Sequence, residues 1–413
     1  MILQLAAAAT LAIWLYLLLF RGAFWREFAR HAAQPVASSS TAPRIGAPAG
    51  SSPLIVASSV ASSSTAPHIV APARSSPRIV AVVPARDEAD VVGRAIASLA
   101  AQRAPGYFHI ILMDDHSSDG TAGIATAAAS RDLLTVVAAA PLPLGWKGKL
   151  WAVAEGIRHA EALQPDFLLL TDADIVHSPD TVANLAARAQ AEGYDLVSYM
   201  ATLACVTPAE RALVPAFVFF FFLLYPPAWV RSPQRATAGA AGGCMLIRYR
   251  MLEKIGGITA IRGELIDDCA LARAVKRAGG RVWLGLGETT HSIRPYRTFF
   301  EVGRMISRSA FTQLHHSGAL LLGTVAGLLL TYLAPPVLTL FAPQPAAGMA
   351  AMAWLWMSIC YLPALRYYRR SWWAAPLLPL VALFYAGATV HSAISYWSGA
   401  GGQWKGRVQD AGE

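Results

Sequence analysis

Two long apolar runs without charged side chains, one near each end, are the feature that most restricts how this chain can fold. The first extends from Met1 to Phe20, and the second, from Ser309 to Leu365, contains no Lys, Arg, Asp or Glu. A helix needs about 20 consecutive apolar residues to cross the hydrocarbon core of a bilayer. The first run therefore predicts a membrane anchor at residues 1–20. The second run and the apolar segment after it predict three transmembrane helices within 318–397, at about 318–341, 346–365 and 374–397.

Arginines beside these runs predict how the chain is oriented in the membrane. Three follow the first run and three lie in the loop before the last span: Arg21, Arg26 and Arg30, then Arg366, Arg369 and Arg370. Positively charged loops stay on the cytoplasmic side. The residues between the first and second spans are therefore expected in the cytoplasm, and the C-terminal tail, 398–413, outside. No basic segment precedes the first apolar run, which favours an uncleaved anchor over a signal peptide.

The composition agrees with a membrane protein and excludes several other classes. Apolar residues make up 55% of the chain and charged residues 14%, which is unusual for a soluble enzyme. The net charge of +9 is not concentrated in long basic runs, and no nucleic-acid-binding motif occurs. The four cysteines contain no CxxC pair. They fit reduced thiols rather than a disulfide framework or a zinc site.

Residues 31–77 are rich in Ala, Ser and Pro and contain a short duplication. The sequence Val-Ala-Ser-Ser-Ser-Thr-Ala-Pro occurs at 36–43 and again at 60–67. Two copies are too few for a repeat fold, and neither has enough large apolar side chains to form a core. We therefore expect a disordered, duplicated linker between the anchor and the next domain.

Residues 78–310 alternate between strand-like and helix-like patterns, which predicts an α/β domain with a mostly parallel, Rossmann-like sheet. The expected strands are 78–84, 108–115, 133–138, 166–171, 194–203, 244–248 and 281–286. In such sheets, ligands bind beyond the carboxyl ends of the strands. Three polar segments occur at these ends: 84–88, 114–115 and 172–174.

Asp172 and Asp174 are the strongest indication of chemistry, because they directly follow the buried strand at 166–171. Two carboxylates one residue apart can both face a crevice, and their hard oxygen atoms suit Mg²⁺ or Mn²⁺. A divalent cation held there could bind a diphosphate. The alternative is that these side chains only cap the helix that follows Asp180.

A further apolar stretch lies inside this domain, at residues 213–230, and includes Phe217 and Phe219 to Phe222. Prolines at 215, 226 and 227 interrupt it. The pattern is compatible with a transmembrane span or, in better agreement with the prolines, a helix lying in the membrane interface. Docking of the phenylalanines on the C-terminal spans is the third interpretation.

Together, the polar segments resemble the family 2 glycosyltransferases of GT-A fold, over about residues 78–310. Pro84-Ala85-Arg86-Asp87-Glu88 is similar to the opening P-x-x-N-E of that family, and residues 114–121 are similar to D-D-x-S-x-D-G-T. Gly148-Lys149 begins a stretch similar to G-K-x-x-A-x-x-x-G. Asp172-Ala173-Asp174 matches the metal motif, and Asp267-Asp268 stands where the family has E-D. The membrane segments and residues 143–149 most resemble the hopene-associated branch of the family.

The resemblance implies roles for individual residues. Asp267 and Asp268 are the candidate catalytic pair, with Asp268 as the general base; the alternative is that they cap a helix. Asp172 and Asp174 would hold the Mg²⁺ or Mn²⁺ ion, and His291 is a candidate third ligand unless it is simply packed or solvated. The candidate donor-binding residues are Pro84, Ala85, Glu88, Asp114, Asp115, Lys149, Asp172 and Arg308. For Lys149 and Arg308 the alternatives are a solvated first-turn lysine and an ordinary arginine beside a span.

These features predict a membrane-bound, metal-dependent, inverting glycosyltransferase that moves a sugar from a nucleotide-diphosphate donor to a membrane lipid. The resemblance implies hopanoid biosynthesis and a multi-pass protein of the bacterial inner membrane, with its catalytic domain in the cytoplasm. A polysaccharide synthase is the second reading. Against it, the Q-x-x-R-W motif of such enzymes is replaced by residues 305–309, of which only Arg308 matches. The third reading is a catalytically silent scaffold. A Rossmann dehydrogenase is disfavoured because no G-x-G-x-x-G follows the first strand.

Overall fold

The computed structural model describes residues 1–32, 76–399, 401, 403–404 and 407–408. Most of the predicted linker at 31–77 and of the predicted tail at 398–413 therefore lies outside the described residues. The remaining chain forms one α/β domain with long apolar helices packed against it.

An eight-stranded sheet forms the centre of the domain. Its spatial order is β3-β2-β1-β4-β7-β6-β8-β5. In chain order the strands are β1 (Arg78–Ala85), β2 (Tyr107–Asp114), β3 (Leu134–Ala138), β4 (Phe167–Thr171), β5 (Ile175–His177), β6 (Leu196–Thr202), β7 (Cys244–Arg248) and β8 (Val282–Ser292).

The sheet is mixed, whereas a mostly parallel sheet was predicted. The half formed by β3, β2, β1 and β4 is parallel, but β7 runs antiparallel to both β4 and β6. At the other edge, β8 is parallel to β6 and antiparallel to β5. The first half follows the strand-helix-strand pattern, which requires parallel neighbours. The direction of β7 depends on the long excursion between β6 and β7, which a local pattern does not encode.

Both faces of the parallel half are buried, as its apolar strands predict. Val80 and Val82 of β1 face one core, while Ile79 and Ala81 face the other. This alternation follows from the two-residue period of a strand. The core behind Val80 and Val82 continues without interruption into the apolar helices, where it includes Trp14. The α/β domain and these helices therefore share one hydrophobic core.

Helices cover the sheet and form the apolar layer. Around the sheet they are Ala89–Ala100, Thr121–Ala127, Gly148–Glu161, Thr181–Ala191, Tyr249–Lys254, Asp267–Arg277 and Phe299–Ala310. The others are Ile2–Leu19, Arg26–Ala32, Pro208–Leu224, Pro227–Arg231, Gly318–Leu328, Ala334–Phe341, Ala346–Tyr367 and Leu378–Trp397. The sequence patterns did not reveal the strand at β5 or the helix Phe299–Ala310.

Five helical segments in the described part of the chain are long and apolar enough to cross a membrane. They are Ile2–Leu19, Pro208–Arg231, Gly318–Phe341, Ala346–Tyr367 and Trp372–Trp397. Four of them overlap the predicted spans. Pro208–Arg231 contains the stretch 213–230, for which the sequence left several interpretations open.

Contacts at both ends of the segment 208–231 show that it lies along the domain. At its start, Thr207 Oγ1 donates a hydrogen bond to the carbonyl of Tyr296 at 2.7 Å. At its end, Arg231 Nε donates to the carbonyl of Leu284 at 3.0 Å. Leu284 lies near the beginning of β8 and Tyr296 lies just beyond its end. Both ends of the segment are therefore held at the β8 region, and between them the helix Pro208–Leu224 packs on the helices Phe299–Ala310, Ala346–Tyr367 and Leu378–Trp397.

The phenylalanines of this segment are packed inside the protein. Phe219 and Phe222 are fully buried. The ring of Phe219 makes an edge contact with Tyr361, and that of Phe220 makes one with Tyr385. These partners belong to the last two long helices. The interpretation that the cluster inserts into the membrane interface is therefore wrong for Phe219 and Phe222, and docking on the C-terminal helices is what the structure shows.

The N-terminal helix is also docked on this segment. Arg21 Nε donates to the carbonyl of Leu223 at 3.0 Å, and its guanidinium lies over the ring of Trp229. The buried carboxylate of Glu27 pairs with Arg231 at 2.5 Å. The basic flank of the first apolar run thus has specific partners in the domain, in addition to the orientation that its charge predicts.

Candidate active site

The candidate site forms where β1, β2 and β4 end side by side. Parallel pairing aligns Ala85 with Asp114 and places β4 on the other side of β1. The chain after each strand therefore enters the same crevice, as expected for an open α/β sheet. Pro84 and Ala85 contribute backbone there, and the amide of Asp115 donates to the carbonyl of Ala85 at 2.8 Å.

The loop after β2 is organised largely by its own acidic residues. Asp114 accepts hydrogen bonds from the amide and hydroxyl of Ser117. Asp115 is almost fully buried, and Arg86 Nη1 lies 3.5 Å from its carboxylate and 2.5 Å from its carbonyl oxygen. The side chain of Asp114 thus stabilises the turn that follows β2. Asp115 is placed firmly at the crevice.

Asp87, which replaces the Asn of the family motif, has a positive φ of 50°. Asn and Asp tolerate this left-handed conformation better than other non-glycine residues. The carboxylate of Asp87 accepts the amide of Ser118 at 2.9 Å. The replacement of Asn by Asp therefore preserves the local backbone and ties the loop after β1 to the loop after β2.

Two basic side chains each bridge two carboxylates from different parts of the chain. Lys149 Nζ lies 2.9 Å from Asp172 and 3.4 Å from Asp267. Arg294 Nε lies 2.7 Å from Asp174, and its Nη2 pairs with Glu88. Together these bridges join the ends of β1, β4 and β8 to the helices that begin at Gly148 and Asp267.

Charge and burial have opposite effects on the pKa values of the side chains in these ion pairs. The carboxylates of Asp172 and Asp267 raise the pKa of Lys149 and outweigh its burial, so Lys149 remains a cation. Burial raises the pKa of Asp172, an effect that Lys149 opposes. The negative charges of Asp174 and Glu88 likewise raise the pKa of Arg294. Both cations are therefore permanent parts of the site.

Asp268 is held at the mouth of the crevice by backbone amides. The amide of Gly242 donates to one carboxylate oxygen at 2.9 Å, and the amide of Cys269 to the other at 2.7 Å. A Cβ at Gly242 would lie 3.4 Å from Asp268 and 3.5 Å from Lys149, which is ordinary van der Waals contact, so Gly242 contributes through its amide rather than through its lack of a side chain. Burial and the charge of Asp267 raise the pKa of Asp268 to about 6. A carboxylate with such a pKa is a suitable proton acceptor near neutral pH.

The structure places His291 apart from the two metal-site carboxylates. His291 is exposed on β8, opposite Val176 of β5. Within the described residues, no group of three or more His, Cys, Asp or Glu side chains is arranged to hold a metal ion. The predicted trio of Asp172, Asp174 and His291 is therefore not gathered here; Asp172 pairs with Lys149, and Asp174 pairs with Arg294.

The donor set nevertheless fits a divalent cation. Two cations, Lys149 and Arg294, interact with five carboxylates in this cluster. The carboxylates are those of Glu88, Asp172, Asp174, Asp267 and Asp268. This leaves an excess of negative charge at oxygen atoms, the ligand type preferred by Mg²⁺ and Mn²⁺. Asp172 and Asp174 are the pair that would hold it.

Arg308 approaches the site from the amphipathic helix Phe299–Ala310. Its charge acts on the hydroxyl of Tyr296, whose pKa is raised mainly by burial and also by Asp174. Arg308 and Asp174 therefore both act on Tyr296, and no ion pair joins Arg308 to Asp172 or Asp174 within the described residues. Tyr296 and Arg294 were missed by sequence reasoning, because they lie outside the motifs and within a segment, residues 293–298, that has neither strand nor helix periodicity.

An apolar cleft adjoins the charged cluster. Lys149, Asp172 and Asp267 line one part of it, and the rest is apolar, with contributions from Leu150, Val153, Ile258, Ile261 and Leu271.

Comparison with known proteins identifies the class. Residues 77–312 match the family described as glycosyltransferase like family 2. The match covers more than half of the chain, so the protein belongs to this glycosyltransferase family, as the motifs predicted. No curated protein sequence matches the chain.

Solved structures show a similar fold. A mannosyltransferase from Pyrobaculum calidifontis, in complex with GDP-Man and Mn²⁺, is 19% identical, covers 95% of this chain and 99% of its own, and has a TM-score of 0.55. TarS 1–349 from S. aureus, in complex with UDP-GlcNAc, is 14% identical over 80% of this chain and 95% of its own, with a TM-score of 0.38. The similarity to the mannosyltransferase extends over 95% of this chain, so the likeness in fold includes the apolar helices.

Proposed function

We propose that this protein is a membrane-bound, inverting glycosyltransferase that moves a sugar from a nucleotide-sugar donor to the hydroxyl group of a membrane lipid. The observation that carries the proposal is the cluster of Asp172, Asp174, Asp267 and Asp268 at the strand ends. It lies next to an apolar cleft in a domain that shares its core with helices able to span a membrane.

The residues divide into a donor side and an acceptor side. Asp115, Glu88 and the backbone of Pro84 and Ala85 line the donor side, where nucleoside and diphosphate would bind. The similar mannosyltransferase binds GDP-Man with Mn²⁺, which supports a nucleotide-sugar donor and a divalent cation here. Bound to Asp172 and Asp174, that cation would neutralise the diphosphate leaving group.

Asp268 would accept the proton of the acceptor hydroxyl as its oxygen attacks the anomeric carbon. The amides of Gly242 and Cys269 hold the carboxylate in one orientation. Lys149 keeps Asp267 and Asp172 together, so that the base and the donor site share one rigid cluster. Direct displacement by the hydroxyl inverts the configuration of the sugar.

The acceptor class follows from the apolar surroundings. The cleft beside Asp267 has apolar walls formed by Leu150, Ile258 and Leu271, which would contact an apolar body rather than a second sugar. The resemblance of the sequence to the hopene-associated branch favours a hopanoid or similar polycyclic alcohol. A catalytic domain facing the cytoplasm, where nucleotide sugars occur, agrees with the arginine pattern.

The decisive experiment is transfer of labelled sugar to extracted lipids. Purified full-length protein in detergent is supplied with labelled UDP- or GDP-sugars, Mn²⁺ and a lipid extract that contains hopanoids. We expect a labelled glycolipid of low mass, absent with Asp268→Asn and present with the exposed-surface control Glu264→Gln. A high-mass product would favour the polysaccharide synthase, and neither transfer nor donor hydrolysis would favour the silent scaffold.

The orientation has a separate test. A reporter active only outside the cytoplasm should be active when fused after Glu413 and inactive when inserted at residue 50, inside the predicted linker. The reverse result would place the candidate site on the wrong side of the membrane for cytoplasmic nucleotide sugars.

A further inference from the structure

Arg294 lies outside the family-like motifs, and the proposed transfer assigns it no role. It nevertheless contacts both sides of the donor region. Its Nε lies 2.7 Å from Asp174, and its Nη2 pairs with the carboxylate of Glu88. Asp174 follows β4 and Glu88 follows β1. One guanidinium therefore joins two loops that would have to receive the metal ion and the diphosphate.

The backbone around Arg294 is fixed on both sides. The amide of Ile293 donates to the carbonyl of Asp174 at 2.9 Å. The amide of Tyr296 donates to the carboxylate of Glu210 at 2.6 Å, and Glu210 is fully buried. With both flanks held, the backbone keeps its place while the long side chain remains free to change its rotamer.

Glu210 gains its position from the start of the apolar segment. It forms a capping box with Thr207 and also accepts the amide of Val206 at 2.8 Å. The helix that packs against the C-terminal spans is thereby tied directly to the turn that carries Arg294. A displacement of Arg294 is therefore confined to its side chain.

Arg294 binds the same Asp174 carboxylate that a metal ion at this site would need as a ligand. A guanidinium and a divalent cation compete for the carboxylate of Asp174, because each neutralises the same oxygen atoms and the two repel each other. A nucleoside diphosphate changes this balance. Its phosphate oxygens offer the planar guanidinium a bidentate partner of the same charge sign as the carboxylates.

We propose that Arg294 is a diphosphate-binding residue that couples the binding of the divalent cation to the binding of the nucleotide. In the absence of ligands, the guanidinium of Arg294 pairs with the carboxylates of Asp174 and Glu88 and so weakens metal binding at Asp174. When nucleoside diphosphate and metal bind together, the guanidinium turns to the phosphates and Asp174 becomes a metal ligand. Because binding linkage is reciprocal, each ligand strengthens the binding of the other by the same factor. This inference rests on the proposed nucleotide-sugar donor.

The test measures binding rather than turnover. Mn²⁺ binding to purified full-length protein is followed by the loss of the free-ion EPR signal, with and without UDP or GDP. The known Mn²⁺–nucleotide complex in solution is subtracted. For the unaltered protein, we expect the nucleotide to tighten Mn²⁺ binding at least tenfold. For Arg294→Gln, we expect Mn²⁺ alone to bind at least tenfold more tightly, and the factor gained from nucleotide to fall below threefold.

Two further variants make the result specific. Arg304→Gln removes an exposed arginine from the helix Phe299–Ala310 and should leave both binding constants unchanged. Arg294→Lys keeps the charge but loses the planar fork, so Mn²⁺ alone should bind as weakly as in the unaltered protein while the coupling falls. This variant also serves if Arg294→Gln does not fold.

The inference is overturned if Mn²⁺ alone binds Arg294→Gln no more tightly than the unaltered protein, or if Arg294→Lys keeps the full coupling. These outcomes are independent of the proposed lipid acceptor. Coupled binding without any sugar transfer would refute the proposed function and leave the role of Arg294 standing, whereas transfer without coupling would do the opposite.

Discussion

Replacing Asp268 with Asn should remove catalysis while making the folded protein more stable. The carboxylate is the proposed general base, and loss of such a group costs roughly 10²- to 10⁴-fold in rate. Its ordinary pKa of 3.8 is raised to about 6 by burial and by Asp267. Ionised Asp268 therefore destabilises the folded state at neutral pH. Because Asn carries no charge, the substitution removes this destabilisation.

The expected increase in the free energy of unfolding of Asp268→Asn is the difference between an electrostatic gain and a hydrogen-bond loss. A difference of about 2 pKa units corresponds to at most about 3 kcal/mol at neutral pH, at roughly 1.4 kcal/mol per unit. The two carboxylate oxygens accept the amides of Gly242 and Cys269. The Asn side chain has only one acceptor oxygen, and facing one of these amides with an NH₂ group costs about 1–2 kcal/mol. A net gain of about 1 kcal/mol, or roughly 2–4 °C in melting temperature, remains.

The stability difference between the two proteins should depend on pH. A carboxyl group with a folded-state pKa above its unfolded value makes the folded state more stable as pH falls from above 6 toward 3.8. The advantage of Asp268→Asn should therefore be present at pH 7.5 and shrink as the pH approaches 4. In the unaltered enzyme, the transfer rate should decline below about pH 6 as Asp268 becomes protonated.

The assays are thermal unfolding in detergent between pH 4 and 8 and initial rates of sugar transfer, with Glu264→Gln as the exposed control. A stability difference that does not change with pH would refute the assigned electrostatic origin. Transfer at more than a tenth of the normal rate in Asp268→Asn would remove this residue from the role of base.

Three other perturbations test the packing and the organisation of the chain. Phe219→Ala should lower the free energy of unfolding by about 3–5 kcal/mol, because its ring is fully buried against Phe24 and Tyr361. The control Phe300→Ala, which removes an exposed ring, should change this free energy little. Equal effects of the two substitutions would contradict the packing of Phe219. Lys276→Met should increase proteolytic cleavage near Arg235 severalfold, since the ammonium group donates to the carbonyls of Ser232, Arg235 and Thr237 and lies 3.3 Å from that of Trp229. Unchanged cleavage would show that the loop is held by other contacts. Deletion of residues 36–59, one copy of the duplication, should leave transfer and melting temperature nearly unchanged, and a large loss of either would show that this segment packs on the domain.

Local sequence patterns predicted the apolar helices, the α/β domain and the acidic segments of the candidate site. Uncharged apolar runs near both ends, strand-helix alternation after Arg78 and acidic residues at strand ends are all short-range patterns. They predicted the α/β domain, because hydrophobic period depends on neighbours a few residues apart. The glycosyltransferase family was implied by the resemblance of the strand-end motifs to that family. Predicted and observed bounds of most strands differ by only one or two residues; Cys244–Arg248 agrees at both ends.

Only the tertiary structure decided how distant segments meet. The direction of β7, the burial of Phe219 and Phe222, and the anchoring of both ends of segment 208–231 at the β8 region depend on contacts between residues far apart in the chain. The same is true of Arg294, which lies 120 residues from Asp174 and 206 from Glu88 along the chain. An arginine in an irregular segment has no local pattern that names its partner. Its role depends on where β8 ends relative to β1 and β4, which is a property of the assembled sheet.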